Sequence, residues 1–465
     1  MQWAKLRKNN KWISILIGVL IQCNALRAAE PSTLKLPFIN ENITNYQGRL
    51  TIGGFLSKEN FVETETSGGS TRNDFATLSA RLFAQTQHFT RFHLTVTADL
   101  RDKNDFFDKL NKELYTLTAR NDFQPRQLSI EYPNETGYWL AKFGRFQVPE
   151  AGAVFADGGL AGIHLTPVLS MSIFGGLNPK KDDESSLAFN STARIVGGTL
   201  IYAPREKAEK LGIFVNSAVT AKQNQGQWDR LFLYHYATFH WPKDHLLSMA
   251  TVDFIPRAKL QNLYLQHQHS FLTGQRLQLS SSYIDVIEYF RRQSVRETLA
   301  PSIYYDLQGS LTTPLLKKFS IGVTPLLGRR ASDGLTRREI FLNFKAFQLF
   351  APQLSLTSAF GLRRHFVSSD TVFRAGIDYT SAVWDISLTE ELAHENYDLI
   401  NGAQPVLNPS ITELSVNRTI NETLYSALST QYSHDEKVSI VSFFAKLGYR
   451  FGNTTPASTA TPGDR

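Results

Sequence analysis

The chain has 465 residues, of which 42% are hydrophobic and 20% are charged, and its formal net charge is +7. Residues 1–28 contribute five cations and no acid, so the rest of the chain carries only 7 − 5 = +2. A charge this small gives no electrostatic support for nucleic-acid binding. The single cysteine, Cys23, excludes a disulfide framework within the chain.

The N-terminal segment has the layout of a secretory signal peptide. A cationic stretch is followed by the apolar run "WISILIGVLI" (12–21) and then by small residues near Ala25 and Ala28. The apolar run is about half as long as a spanning helix needs to be. A lipid anchor on Cys23 is a weaker alternative, because the preceding Gln22 is not small. We therefore expect residues 1–28 to be a signal peptide and 29–44 to be a short periplasmic segment.

From about residue 45 onward the sequence alternates with a period of two. In "RFHLTVTADLR" (91–101) every second residue is apolar and those between are polar. The same pattern occurs in "DFATLSARLFAQ" (74–85), "PQLSLTSAFGLRR" (352–364) and "VFRAGIDYT" (372–380). Such alternation predicts strands with one apolar and one polar face. No stretch after residue 30 is apolar over the roughly eighteen residues that a spanning helix requires.

The connections between these strands alternate in length. "PNETG" (133–137) and "WPKD" (241–244) are short, whereas "SKENFVETETSGGSTRN" (57–73) and "GRRASDGLTRRE" (328–339) are long and polar. Short periplasmic turns and long outer loops are typical of outer-membrane barrels. Aromatic residues, which favour the headgroup boundary, flank the short turns: Tyr138, Trp139, Trp241, Phe350, Tyr379 and Trp384.

A sheet within hydrocarbon must have no open edge, because unpaired backbone groups each cost several kcal/mol there. The sequence therefore predicts an all-β fold, a single closed antiparallel transmembrane barrel over residues 45–451. We count about 22 strands, with 18 and 20 as alternatives. The count depends on the region 394–420, where "SITELSV" (410–416) is interpreted as a strand. The polar residues 452–465 are expected to be a disordered tail.

If the apolar faces contact lipid, the polar faces line a water-filled lumen. The opposite assignment would cost about 2–4 kcal/mol for each Arg or Lys facing lipid at mid-depth. Both signs of charge occur, which fits either a solvated wall with internal ion pairs or a mild preference for anions. The predicted lumen-lining residues are Arg91, His93, Asp99, Arg101, Arg276, Glu339, Lys345, Arg363, Arg374, Asp378, Lys446 and Arg450.

The segment "VPEAGAVFADGGLAG" (148–162) is the candidate constriction of this lumen. Its residues are mostly small, and its only charged side chains are those of Glu150 and Asp157. A loop of small residues can fold against a wall, but an ordinary outer loop explains the composition equally well.

Two other groups of polar residues are candidate sites. His267 and His269 lie on one face of a strand, about 7 Å apart by strand rise. No third ligand is close to them in sequence, so we predict a structural role and no metal. The basic segments "RRASDG" (329–334) and "FGLRRH" (360–365) fit either lipopolysaccharide phosphates or solvated loop ends.

Two segments resemble known outer-membrane proteins. "SIVSFFAKLGYRF" (439–451) resembles the closing strand of Gram-negative outer-membrane proteins, which ends in an aromatic residue and is recognised by the barrel-assembly machinery. Unlike many members, this chain continues for fourteen residues beyond Phe451. Residues 142–179 are similar to a segment of porin-like proteobacterial barrels, including alginate-export porins. The resemblance implies contact with outer-membrane lipid and lipopolysaccharide, and it is compatible with a homotrimer.

No catalytic motif accompanies this pattern. The chain has no G-x-S-x-G, P-loop, H-E-x-x-H or cysteine-based metal spacing, so neither an enzyme nor a cofactor is predicted. We expect an exported, porin-like channel in the outer membrane of a Gram-negative bacterium that lets small hydrophilic solutes diffuse through a polar lumen. The alternative is a binding or structural barrel, an adhesin or receptor that acts through its outer loops.

Overall fold

A computed structural model describes residues 34–36, 39–43, 45–62, 70–87, 95–107, 122–132, 138–179, 192–204, 212–255, 258–285, 303–331, 333–398, 406–436 and 438–452. The predicted signal peptide lies outside the described residues, and so does the predicted tail except for Gly452. Arg91 and His93 also lie outside them.

The described chain is built from strands, with one short 3-10 helix at Pro149–Ala151. The strands are β1 (Leu34–Leu36), β2 (Ile39–Ile43), β3 (Asn45–Val62), β4 (Ser70–Gln87), β5 (Thr95–Phe107), β6 (Asp122–Tyr132), β7 (Trp139–Val148), β8 (Val154–Thr166), β9 (Leu169–Leu177), β10 (Ala193–Tyr202), β11 (Gly212–Asn224), β12 (Gln227–His240), β13 (Asp244–Ile255), β14 (Lys259–Ser270), β15 (Arg276–Asp285), β16 (Ile303–Leu316), β17 (Phe319–Arg330), β18 (Thr336–Phe347), β19 (Leu354–Arg364), β20 (Ser368–Thr380), β21 (Trp384–Tyr397), β22 (Val406–Leu407), β23 (Ser410–Thr419), β24 (Leu424–His434) and β25 (Val438–Gly452).

These strands form a closed antiparallel barrel of 22 strands, β3–β21 and β23–β25. The two-residue β22 pairs with β21 as an addition, and β1 and β2 form a separate hairpin. The predicted all-β closed barrel is confirmed, and so is the strand count of about 22. The uncertain segment "SITELSV" belongs to β23, which pairs with both β21 and β24.

The barrel closes between its first and last strands. β25 pairs with β3 along its whole length, from Val438 opposite Phe61 to Gly452 opposite Gln47. The hydroxyl oxygens of Ser57 and Ser442 lie 3.3 Å apart across this seam. Closure leaves no strand edge in the barrel, as a sheet in hydrocarbon requires.

The registers divide the side chains of the barrel into two faces. We call the face that carries Arg81, Arg363 and Lys446 the polar face, and the opposite one the apolar face. Leu362 and Leu447 on the apolar face are 52% and 48% exposed. Large apolar side chains are exposed in this way on strand after strand. A soluble monomer rarely exposes so much continuous apolar surface, whereas a lipid-facing wall must.

The alternation of short and long connections is not strict. β12 runs from the turn Gln225–Gly226 to the short "WPKD" turn, so this two-residue turn lies at the end of the barrel where long loops were predicted. Gln225 and Gly226 have φ of 50° and 83°. Two left-handed residues match the twist of a tight hairpin, which is why so short a connection works here. Among the described residues, no helix is long and apolar enough to span a bilayer.

The seam can be tested by cross-linking. With Cys23 changed to Ser, the double variant Ser57→Cys and Ser442→Cys should form a disulfide on oxidation, because the two hydroxyls already lie 3.3 Å apart. Non-reducing gel mobility after denaturation reports the cross-link. Ser57→Cys combined with Ser415→Cys, a polar-face position two strands farther on, should not cross-link. Equal cross-linking of both pairs, or of neither, would contradict this closure.

Candidate functional site

The described members of the predicted lumen-lining set all lie on the polar face. Glu339 stands opposite Arg363, and Arg363 stands opposite Asp370 on the next strand. The registers between successive strands carry the same face as far as the seam, where Lys446 stands opposite Gly53. The members on this face are Asp99, Arg101, Arg276, Glu339, Lys345, Arg363, Arg374, Asp378, Lys446 and Arg450.

One part of the polar face, on β19–β21, is an ion-pair network. The guanidinium of Arg363 pairs with the buried carboxylate of Asp370, and its Nη1 also lies 3.7 Å from a carboxylate oxygen of Glu391. Arg374 pairs with the same Glu391. Asp378 accepts a hydrogen bond of 2.7 Å from the hydroxyl of Ser387. The cations of this region are neutralised by the chain itself.

A second part of the polar face carries several cations that have no acidic partner among the described residues. A recess in the wall is lined by Thr51, Gly53, Ser79 and Phe444, and by five cations on neighbouring strands. We call it the basic recess; its cations are Arg49, Arg81, Arg101, Arg126 and Lys446. Phe444, which breaks the alternation of the last strand, is part of its lining.

Only one cation of the basic recess is paired. Arg81 donates from Nε and Nη2 to the carboxylate of Asp99 at 2.8 and 2.7 Å. In the described part of the chain the other four form no ion pair, although Lys446 lies over the ring of Tyr425 at 5.7 Å. Arg81 and Arg101 stand directly opposite each other, an arrangement that is unfavourable for like charges. Counting only the residues that the structure describes, the recess therefore holds four cations without a carboxylate partner.

The candidate constriction is the tip of the β7–β8 hairpin. β7 pairs with β6 only as far as Arg145, and β8 pairs with β9 only from Asp157 onward, so residues 146–156 extend beyond the wall. The hairpin leaves the wall at the point where Gly144 stands opposite Gly158. Gly144 has φ of 113°, and a Cβ on Gly158 would lie 2.1 Å from the carbonyl oxygen of Gly175. Side chains are excluded at this bend, so the two glycines allow the hairpin to leave the wall.

The tip lies over the polar face of strands farther round the barrel. The 3-10 helix contacts β10 and β11, and Asn216 of β11 donates from Nδ2 to the backbone carbonyl of Glu150 at 2.6 Å. Phe146 and Val148 are 0% and 1% exposed. They belong to an apolar cluster whose members are Phe146, Val148, Ala151, Val154, Ala156, Leu160, Phe174, Ile195, Ala218 and Phe232. The predicted segment 148–162 thus divides: its first part forms the tip, and residues 159–162 belong to the wall.

An ion pair fixes the base of the tip. Arg145 donates to Asp157 from Nε at 2.6 Å and from Nη2 at 2.7 Å, and from Nη1 to the carbonyl of Pro125 at 3.2 Å. The side chain of Asp157 is 1% exposed. Removing one partner of such a buried pair is strongly destabilising, because the other charge is left uncompensated. Of the two predicted constriction residues, Asp157 holds the base of the hairpin, and Glu150 contributes a backbone contact at its tip.

The two histidines of "HQH" share a partner that sequence reasoning missed. His267 Nε2 and His269 Nδ1 lie 2.9 and 2.7 Å from the same carboxylate oxygen of Asp244. Asp244 comes from the neighbouring strand β13, where it stands opposite His269 on the apolar face. Across the described ranges, no group of three His, Cys, Asp or Glu side chains could hold a metal ion. The predicted structural role is compatible with this hydrogen-bonded cluster.

The packing of the tip can be tested with two phenylalanines of the same strand. Phe146→Ala should lower the free energy of unfolding by about 3–5 kcal/mol, because it empties a fully buried position. The tip should also become sensitive to added protease. Phe143→Ala is the matched control, since Phe143 is 64% exposed on the opposite face. Urea titration in lipid vesicles measures the loss in Phe146→Ala, and protease digestion compares the two variants; equal protease sensitivity of the tip would show that it is not held by this cluster.

In comparisons with known proteins, only solved structures are similar to the chain. No family model and no curated protein matches the chain. Among solved structures, OccK2 (OpdF) of Pseudomonas aeruginosa shares 11% identity and covers 88% of this chain and 98% of its own, with a TM-score of 0.41. A BenF-like porin from Pseudomonas fluorescens Pf-5 shares 11% identity over 88% and 100%, with a TM-score of 0.42. The translocation pore of the P pilus usher PapC shares 8% identity over 88% and 100%, with a TM-score of 0.49.

Similarity at this level assigns neither a solute nor a partner to the chain. The class comes from the barrel itself, which is closed, antiparallel, apolar on its exposed face and charged on the other. In a membrane, only a closed barrel lets strands satisfy all their backbone groups. The chain therefore has the fold of a membrane-spanning β-barrel, a closed antiparallel barrel of 22 strands with an apolar outer face.

Proposed function

We propose that the protein is an outer-membrane channel through which small hydrophilic solutes diffuse. The observation that carries the proposal is the separation of the two faces of the closed 22-strand barrel. If the apolar face contacts lipid, the charged side chains of the polar face surround a lumen that water can fill. The predicted lumen-lining residues are then the wall of the solute path.

The hairpin tip is the proposed constriction of this path. It lies over the polar face, so it occupies space that solutes would otherwise use. The apolar cluster and the Arg145–Asp157 pair hold it there. A tip that is fixed at both its base and its apex narrows the lumen permanently and does not open and close with each solute.

The basic recess favours anions in the proposed lumen. Both cations of the network, Arg363 and Arg374, have carboxylate partners, whereas four cations of the recess have no acidic partner among the described residues. Unbalanced charge of one sign biases a pore toward ions of the opposite sign. We therefore propose a mild preference for anionic solutes.

Export and assembly complete the proposal. The layout of residues 1–28 supports signal-peptide-dependent export. Strand β25 ends next to the aromatic Phe451 and closes the barrel against β3, which supports recognition by the barrel-assembly machinery. Outer-membrane lipid then surrounds the apolar face.

Conductance across a planar bilayer tests the channel and its selectivity. The wild type should give current steps and a reversal potential under a salt gradient that favours anions. Lys446→Glu together with Arg450→Glu should shift the reversal potential toward cations, because four charge units change on the wall. Arg418→Gln should have no effect, because Arg418 stacks over Trp384 on the apolar face.

Each outcome of the conductance experiment is informative. A reversal potential that does not move in the double variant would remove Lys446 and Arg450 from the conducting path. A folded protein that gives no current in any variant would reject the channel and favour the adhesin or receptor alternative.

Shortening the hairpin tests the constriction. Replacing residues 147–155 by two glycines removes the tip while retaining the Arg145–Asp157 pair, so the single-channel conductance should rise. Phe143→Ala, which changes the apolar face of the same strand, should leave the conductance unchanged. A heat-dependent gel shift verifies that both variants form the barrel. Unchanged conductance in the shortened variant would place the narrowest point elsewhere.

A further inference from the structure

Three arginines form a tier on the apolar face, at the end of the barrel opposite the short turns. They are Arg329 of β17, Arg338 of β18 and Arg364 of β19, and all three are exposed. Arg338 stands directly opposite Arg364. Arg329 stands opposite Thr336, two residues from Arg338. Three adjacent strands thus present their guanidinium groups on one patch, which we call the arginine tier.

Exposed apolar surface begins directly beside the arginine tier. Two residues along each strand, on the same face, Leu327, Ile340 and Leu362 are 55%, 48% and 52% exposed. Two residues of a strand span about 7 Å. Tyr305, which stands opposite Arg329, is 47% exposed as well. Cations and a tyrosine next to an apolar band are the arrangement of a membrane–water boundary.

Within the described residues, the three inward arginines here all have carboxylate partners, whereas only one of the three outward arginines does. On the polar face Arg330 pairs with Asp333, Arg337 lies 3.4 Å from Asp306, and Arg363 pairs with Asp370. These three arginines are sequence neighbours of the tier residues. Within the described residues, Arg329 and Arg338 form no ion pair, and Arg364 has only the exposed Asp398 at 3.6 Å.

This difference needs a physical reason. Residues directly opposite on antiparallel strands have Cβ atoms about 4.5–5.5 Å apart, and like charges in that position are destabilising. Arg338 and Arg364 are such a pair. An anion between the two guanidinium groups would turn this repulsion into attraction on both sides. The geometry points to a ligand that the chain does not itself supply.

We propose that the arginine tier binds the phosphate groups of a phosphorylated glycolipid of the outer leaflet, lipopolysaccharide. Guanidinium groups bind phosphate oxygens through paired, charge-assisted hydrogen bonds. The acyl chains of the same lipid lie along Leu327, Ile340 and Leu362, at a depth set by the tier. An inorganic phosphate would bind the guanidinium groups but would not contact the apolar side chains beside them. The lipid makes both contacts, so it is the occupant that fits. The proposal rests on the proposed outer-membrane location and on contact of the apolar face with lipid, and it does not depend on channel activity.

Native mass spectrometry of the full chain in detergent, with added diphosphorylated lipid A, tests the tier. The wild type should retain the lipid, and Arg338→Gln together with Arg364→Gln should weaken binding about tenfold or more, since two charge-assisted contacts are lost. Arg418→Gln is the matched control, because Arg418 lies on the same face at the other end of the barrel. It should bind as the wild type does.

A milder variant keeps the test valid if the double variant does not form the barrel. Arg338→Lys retains the charge but loses the planar guanidinium, and it should bind more weakly than the wild type. A heat-dependent gel shift verifies that each variant forms the barrel before binding is compared.

Three outcomes would overturn the proposal. Equal binding by wild type and double variant would exclude the tier as the site. Equal retention of a dephosphorylated glycolipid would show that apolar contact alone holds the lipid. Complete displacement of the lipid by millimolar inorganic phosphate would identify a free-anion site. A protein that gives no current but still retains lipid A through the tier would reject the channel and leave this inference intact.

Discussion

The backbone pairing between β25 and β3 is the constraint on which the rest of the structure depends. It joins segments separated by almost the whole barrel sequence and leaves no open edge. Because side chains alternate across a sheet, one closed register assigns each residue of the barrel to the polar or the apolar face. A slip of one residue would move every charge on a strand to the other face. Closure therefore determines which charges meet water and which hydrophobic groups meet lipid.

The chain neutralises its charges selectively. Around Arg363 and Arg374 each cation has a carboxylate partner, so this part of the wall needs nothing from outside. At the basic recess and at the arginine tier, arginines stand opposite each other across strands, and within the described residues only Arg81 and Arg364 of these cations have a carboxylate partner. Like charges that stand opposite each other are unfavourable, and the two ligands that we propose, an anionic solute in the lumen and a lipid phosphate on the apolar face, would relieve this repulsion.

The hairpin tip shows how one segment of a regular wall acquires a separate role. The bend at Gly144 and Gly158 frees the hairpin from the sheet, and the residues beyond it would be exposed without a new partner. The side chains of Phe146 and Val148 pack against the apolar part of the wall between β9 and β12. Only here does the polar face carry a buried apolar cluster among the described residues, so the position of the tip is determined by where that cluster lies.

The sequence by itself determined where most strands lie, which residues share a face, and that the barrel has about 22 strands. Period-two alternation is a local property, which is why the chain could be assigned as a closed barrel and why "SITELSV" was recognised as a strand. Tertiary structure decided which residues became neighbours. The pairing of β25 with β3 brings Arg450 opposite Arg49, the pairing of β13 with β14 brings Asp244 to two histidines, and the fold of the tip brings Glu150 to Asn216. These contacts depend on registers between strands and on a bend whose direction follows from packing, and neither leaves a periodic signal in the sequence.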